Sequence, residues 1–205
     1  MFHVLHYTSN WRSDPILRSM FEARKRVFID LLKWDLPVLE DSYEVDRFDE
    51  PGAIYLVLSD ADGNHRASTR LLPTGRPHLL DTLFPDLCGA RPPKGPDTWE
   101  ITRFCLDRNL RASDRLTARN ELVSAMADYA LAFGIRTYTG VAEIGWFRQI
   151  EAFGWNCRAL EGLALKQDQT LTGLRIDITE ETPSLLKVTG IYQRHDRSEG
   201  VRHAA

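Results

Sequence analysis

The sequence predicts a single α/β domain, a sandwich of helices on a mixed sheet. Three observations point there. Short β-like runs alternate with amphipathic helical runs along the whole chain. The stretch 98–142 reads strand, long helix, strand, the pattern of one parallel crossover. No internal repeat, low-complexity tract or shift in composition divides the 205 residues, a length one domain can hold.

The elements follow in order. Residues 2–7 are apolar-rich and read as a strand. Ser13-Asp14-Pro15 is a helix start, a capping side chain ahead of proline at the first position. Ile16, Leu17, Met20, Phe21, Val27, Phe28, Leu31 and Leu32 then recur at helical spacing. Residues 33–52 carry Trp34, two prolines and many carboxylates, and read as an ordered loop. A hairpin follows: strand 53–59, a turn at Asp60-Ala61-Asp62-Gly63-Asn64, and strand 65–72. The proline-rich stretch 73–97 has room for a short helix near 79–84. Residues 98–106 form a strand. Ser113 or Asp114 caps a long helix that runs to Phe133 and closes at Gly134. Next come a strand at 137–142, a helix at 145–153, strands near 156–165 and 170–178, and a short helix opening at Thr182-Pro183. The domain is expected to span 1–194, with 195–205 a polar, disordered tail.

Composition narrows the function classes. The net charge of −3 is unlike the strongly basic footprint of a nucleic-acid binder. Cys88, Cys105 and Cys157 are odd in number and widely spaced, which speaks against a disulfide framework or a zinc site. They suit a reducing, cytoplasmic compartment. No secretory leader pattern is visible, and the longest apolar run, Ile54-Tyr55-Leu56-Val57-Leu58, is far below the ~20 residues of a membrane span. No nucleophile elbow, Walker loop, dinucleotide fingerprint or metal-ligand spacing occurs.

Four features break the local pattern. Arg24 falls four residues after Met20 and four before Phe28, on the apolar helix stripe. It either snorkels at the stripe's edge or meets acidic partners or a ligand. Glu40, Asp41, Glu44, Asp46, Asp49 and Glu50 form a carboxylate cluster. This is either a solvated loop or a site for a cationic ligand or for buried arginines. In the strand 98–106, strict alternation puts Glu100, Thr102 and Phe104 on one face and Trp99, Ile101 and Arg103 on the other. A structural ion pair and a functional site both account for these charges. Glu100 and Arg103 can share a pocket only if a bulge re-aims one of them. Arg111, Arg115 and Arg119 recur every four residues, as a solvated helix face or as a dock for an acidic partner, with Arg148, Arg158 and Lys166 adding to it. Trp11, Trp146 and Trp155 read first as packing residues.

Taken together, these residues resemble the acyl-homoserine-lactone synthase (autoinducer synthase) family. The resemblance rests on Arg24, Phe28 and Trp34; Asp46 and Asp49 in Glu44-Val45-Asp46-Arg47-Phe48-Asp49; Arg70 in Ser68-Thr69-Arg70-Leu71-Leu72-Pro73-Thr74; Phe84; and Glu100 and Arg103 in Trp99-Glu100-Ile101-Thr102-Arg103-Phe104. Order and spacing agree over residues 1–155. The resemblance implies a GNAT-like fold with a mostly antiparallel sheet. It implies acyl transfer from acyl carrier protein or acyl-CoA to the amine of S-adenosyl-L-methionine, a substrate here and not a cofactor. Lactone closure then releases methylthioadenosine. It also assigns roles: Glu100, Asp46, Asp49, Arg70 and Arg103 to catalysis; Arg24, Phe28, Trp34 and Arg103 to S-adenosylmethionine. Phe84, Thr102, Phe104, Val141, Ala142, Trp146 and Phe147 fall to the acyl pocket. Arg111, Arg115, Arg119 and Arg148 fall to carrier docking.

Where acetyltransferases of this fold carry a glycine-rich phosphate loop, this chain reads Arg108-Asn109-Leu110-Arg111-Ala112-Ser113, which favours a carrier protein as donor. The apolar pair Val141-Ala142 favours an acyl chain without a 3-oxo group. An acetyl-CoA-dependent N-acetyltransferase and a non-catalytic acyl-carrier or signal-binding module remain the alternatives.

Overall fold

The structure is a computed structural model and describes residues 1–89, 91–160 and 170–193. The tail 195–205, the far end of the strand expected near 156–165, and Lys166 lie outside the described residues. Nine strands and five α-helices appear among the described residues. The strands are β1 (Phe2–His6), β2 (Val38–Leu39), β3 (Tyr43–Glu44), β4 (Ile54–Ser59), β5 (His65–Pro73), β6 (Thr98–Leu106), β7 (Thr137–Glu143), β8 (Asn156–Ala159) and β9 (Leu171–Asp177). The helices are α1 (Pro15–Arg24), α2 (Leu79–Thr82), α3 (Ala112–Phe133), α4 (Ile144–Glu151) and α5 (Thr182–Val188).

The chain divides into two compact units, the first from Met1–Leu71 and Arg103–Leu122, the second from Leu72–Thr102 and residues 123–193. In the first, the hydrogen-bonded strand order is β1-β4-β5-β6. β1 pairs β4 and β4 pairs β5, both antiparallel. Every residue of β4 is buried, as befits a central strand with both faces covered. Asp14 caps α1 by accepting from Ile16 N–H and Leu17 N–H, with Pro15 at the first position, as its sequence predicts. α1 buries Leu17, Met20, Phe21, Ala23 and Arg24. It then widens into a π-helical turn over Lys25–Leu31, where Leu32 N–H bonds Val27 O. Apolar periodicity alone does not distinguish this turn from α-helix, because it adds one residue without changing composition. The acidic loop holds a small hairpin, β2 on β3, which the sequence reading missed: two-residue strands carry too few side chains to show alternation.

In the second unit the order is β6-β7-β9-β8. β6 and β7 are parallel, the expected crossover, and β9 pairs β7 and β8 antiparallel. The mixed, mostly antiparallel sheet of the prediction is present. α3 begins at Ala112, so Ser113 and Asp114 sit inside its first turn and neither is the cap expected from sequence. Gly134 closes it at φ 70, the left-handed stop that favours glycine.

β6 departs from strict alternation. Thr98, Glu100 and Thr102 are buried in phase, and the next buried residue is Cys105. The phase slips at Arg103, whose φ is 52. A non-glycine residue in that region costs of order 1–3 kcal/mol and persists only where its surroundings hold it. The sequence reading named a bulge as the condition for re-aiming Glu100 or Arg103, and the strand carries a local irregularity at Arg103, of the kind that re-aims a side chain.

Candidate active site

What holds Arg103 is visible in the first unit. Its Nη2 donates to Glu44 Oε1 at 2.9 Å and to Asp46 Oδ2 at 2.6 Å, and its Nε reaches Glu44 Oε2 at 3.1 Å. Arg24 forks onto Asp49, Nη1 to Oδ1 and Nη2 to Oδ2, each 2.9 Å, while its Nε donates to Glu44. Arg70 forks onto Asp46 at 2.6 and 3.0 Å and also touches Asp49 at 2.8 Å. Three guanidiniums thus interleave with three carboxylates, so the cluster is formally neutral. The carboxylates are pinned further. Asp49 accepts from Tyr55 OH and from Asp46 N–H, and Asp46 from Phe48 N–H, each at 2.8 Å.

Arg24 and Arg70 are each only 1% exposed and Glu44 is fully buried. Burial by itself would lower an arginine's pKa. Asp49 and Glu44 outweigh it for Arg24, and Asp49 and Asp46 for Arg70, so both are held above the usual value. Burial by itself would raise a carboxylate. Arg70 and Arg103 bring Asp46 below the ordinary range, and Arg24 and Arg70 do the same to Asp49. Arg24, Arg70, Asp46 and Asp49 are thereby held in their charged forms, the condition under which a buried ionic network is tolerable. Arg24 does not snorkel, and this part of the acidic loop is not solvated. Glu44 and Tyr55 join the site without having been given a role from the sequence. Glu44 lay in the carboxylate cluster, but Tyr55 gave no signal, since Ile54-Tyr55-Leu56 reads as apolar strand.

The π-helical turn places aromatic faces beside these charges. Phe28 and Trp34 stack with centroids 4.9 Å apart and planes 20° apart, and the Arg103 guanidinium lies 5.6 Å from the Phe28 ring. Phe28 is buried while Trp34 is 39% exposed, so the pair offers an indole face to solvent.

Glu100 belongs to the second unit and is fully buried. Its carboxylate accepts from Leu79 N–H at 2.7 Å and Leu80 N–H at 2.8 Å, the first free donors of α2. Thr102 and Ala142 are buried, and Phe84 and Val141 half-buried. Phe147 is in the core, and Trp146 packs edge-on to Phe153 at 5.9 Å. Phe104, in the first unit, is half-buried. Trp11 and Trp155 are core residues, as their packing role predicts. Of the docking arginines, Arg111 and Arg148 are exposed. Arg115 folds back onto Arg108 O and Leu110 O, and Arg119 onto the Asn120 side chain. No group of acidic, histidine or cysteine residues able to hold a metal is found among the described residues. No described helix is long and apolar enough to cross a membrane.

Comparison with known proteins agrees with this picture. Residues 8–185 match the autoinducer synthase family. The chain belongs to that family. An acyl-homoserine-lactone synthase of Ralstonia nicotianae is 29% identical over 184 residues, covering 86% of this chain and 89% of the relative. One from Rhizobium etli is 37% identical over 141 residues, 66% of this chain and 65% of the relative. Among solved structures, the CoA-dependent acyl-homoserine lactone synthase MesI superposes with a TM-score of 0.82 at 24% identity, covering 98% of this chain and all of that one. The synthase LasI gives 0.75, also at 24% identity, with 96% and 97% covered. A looser likeness, 0.56, extends to an acyl-CoA N-acyltransferase of Pseudomonas aeruginosa, in keeping with the expected GNAT-like fold. With the family in place, the acyl-homoserine-lactone synthase reading stands over the acetyltransferase and the non-catalytic module.

Proposed function

We propose that this chain transfers an acyl group from a phosphopantetheine thioester to the amine of S-adenosyl-L-methionine and then closes the lactone, releasing methylthioadenosine. The interleaved cluster of Arg24, Arg70, Arg103, Glu44, Asp46 and Asp49 beside the Phe28–Trp34 stack carries this reading. The methionine end of the substrate is an ammonium and a carboxylate next to a sulfonium. A neutral lattice of alternating charges complements it without leaving a bare buried charge. The Phe28–Trp34 pair suits the adenine ring and, through a cation–π contact, the sulfonium.

The amine must lose a proton before it attacks the thioester, and Glu100 is the proposed acceptor. Its two backbone donors fix the carboxylate. The second step is intramolecular, so orientation by the charged cluster supplies much of it. Phe84, Thr102, Phe104, Val141, Ala142, Trp146 and Phe147 are assigned to the acyl chain. Arg111, Arg115, Arg119 and Arg148 are assigned to an acidic carrier protein, favoured as donor by the glycine-free segment after β6. This reading takes 1–194 as one catalytic domain, since β5 and β6 each run through both units.

Purified chain given S-adenosylmethionine and acyl thioesters is expected to yield an N-acyl-homoserine lactone by mass spectrometry, with matching methylthioadenosine release. Acetyl-CoA consumption that ignores S-adenosylmethionine would overturn the reading. Turnover with acyl carrier protein should fall steeply with salt; efficient use of acyl-CoA alone would remove the carrier assignment.

A further inference from the structure

The end of β6 holds the π-helical turn that carries Phe28. A π turn is rare and seldom extends, so contacts from outside the segment decide whether Lys25–Leu31 keeps that winding. Three alternate residues at the end of β6 supply them, all within the first unit. The Arg103 guanidinium lies 5.6 Å from the Phe28 ring. Cys105, fully buried, packs with Phe28 and Ala23 in one apolar cluster, against which Val27 and Leu36 lie. Asp107 makes the polar contact. Its Oδ2 accepts from Nη2 of Arg26, a residue of the π turn, at 3.0 Å.

Asp107 is aimed independently of Arg26. It is only 5% exposed, its N–H bonds Arg66 O on β5 at 3.0 Å, and its Oδ1 accepts from Asn109 N–H at 2.7 Å. His65 Nδ1 stands 3.9 Å from Oδ2, beyond a hydrogen bond, so Arg26 is the close donor on that oxygen. Arg26 in turn depends on Asp107. Its Nε is buried without a partner among the described residues, and Glu22 lies 4.0 Å from its Nη1. A half-buried guanidinium that lost Asp107 would turn towards water, because a cation is costly to keep buried unpaired.

Resting on the synthase reading, in which Phe28 and Trp34 receive S-adenosylmethionine, we infer that Asp107 is a positioning residue for that substrate: by pinning Arg26 it fixes the winding of the π turn, and with it the aromatic face offered to the adenosyl group. Asp107 acts through Arg26 and Phe28, and through the bond of 2.9 Å from Trp34 N–H to Phe28 O. The two kinds of support divide the work. Ala23 and Cys105 fill the space behind Phe28, but apolar packing is non-directional. The ion pair supplies the direction, setting the rotation of the turn about its axis.

Calorimetric titration of S-adenosylmethionine into the full-length chain reads the effect without turnover. Asp107→Asn keeps the side-chain shape and an acceptor for Asn109 N–H, but loses the charge facing Arg26. It should weaken Kd by about fivefold or more. KM for S-adenosylmethionine should rise in step while KM for the acyl thioester stays in place. Arg26→Met, on the more exposed side of the pair, should do the same and keeps the test open if Asp107→Asn folds poorly. Arg26→Lys, which retains the charge, should weaken Kd less. The double variant should bind no more weakly than the worse single one, since both changes remove one interaction. Arg66→Met breaks the nearby ion pair with Glu121, 2.9 Å long, and should leave Kd unchanged, which separates positioning from a general loss of stability. Unchanged affinity in Asp107→Asn and Arg26→Met would overturn the inference. So would multiplied losses in the double variant, or an equal loss in Arg66→Met. Failure of the unaltered chain to bind S-adenosylmethionine would instead sink the synthase reading, and this inference with it.

Discussion

The charged cluster around Arg24 and the polar face around Glu100 both bury groups that water would otherwise solvate, and they differ in completeness. In the first, each guanidinium meets two carboxylates and each carboxylate at least two donors. In the second, Glu100 is held by two N–H groups while Oγ1 of Thr139, its register partner on β7, and His78 Nε2 stay unpaired. A saturated network is rigid before substrate arrives and so fixes orientation. An unsaturated one holds a hydrogen bond in reserve. The rigidity of the first suits the positioning role proposed for it.

Breaking the saturated cluster should have the largest effect. Arg24→Met leaves Glu44 and Asp49 buried with fewer partners, and removing one member of such a network costs about 3–5 kcal/mol. Chemical denaturation should show that loss, with activity abolished; a change within ~0.5 kcal/mol would mean the cluster is solvated. By contrast Thr139→Val, in the unsaturated face, should not destabilise at all.

Glu100→Gln probes the boundary between tether and base. The amide can satisfy only one of the two α2 donors, so some loss of stability is expected from geometry alone. If Glu100 also takes the proton, kcat should fall by about 10²–10⁴-fold, and the residual rate should lose its acidic limb in a pH profile. A lower Tm with kcat and pH profile unchanged would leave Glu100 as a tether only.

Acid should act on the saturated cluster specifically. Asp46 and Asp49 titrate below their unfolded values, near 3.9, because Arg70, Arg103 and Arg24 outweigh the effect of burial. Their contribution is present above that pH and is lost as pH falls through the folded values. Asp49→Asn should flatten the acid limb of stability below pH ~4; an unchanged limb would contradict the pairing.

The smallest effect belongs to a histidine outside both sites. His65 is buried, and burial lowers its pKa against the pull of Asp107. Between the unfolded value near 6.5 and its lower folded value, the unfolded chain binds the extra proton. Stability should therefore rise with pH across that window. His65→Gln should remove this shallow slope and leave the limb below pH ~4 in place.

Much of this was legible in the sequence, and the parts that were not share a cause. The limits of β6 were read correctly because nine residues rich in β-branched and aromatic side chains are a long signal. The cap at Asp14 was legible because Asp14-Pro15 is a local signature. The slip at Arg103 was only half legible. Conflicting charges on both faces said that something must re-aim one of them, but a positive φ at arginine has no compositional mark. Glu44 sat in view within the acidic run, yet its burial depends on a hairpin of two-residue strands. Thr139 was passed over because a threonine in a strand is ordinary; only its missing partner makes it informative.

The π-helical turn at Lys25–Leu31 carries a consequence for how this chain can vary. A π turn amounts to one residue more than an α-helix of the same hydrogen-bonded span. Loss of a single residue there would wind the segment back to ordinary pitch and swing everything after it by about 100° around the axis. Trp34, whose N–H is bonded to Phe28 O at 2.9 Å, would leave its stack while α1 and Arg24 stayed in place. The length of this stretch is then as tightly specified as the identity of its aromatic residues: point changes on its surface are tolerable, whereas indels are not.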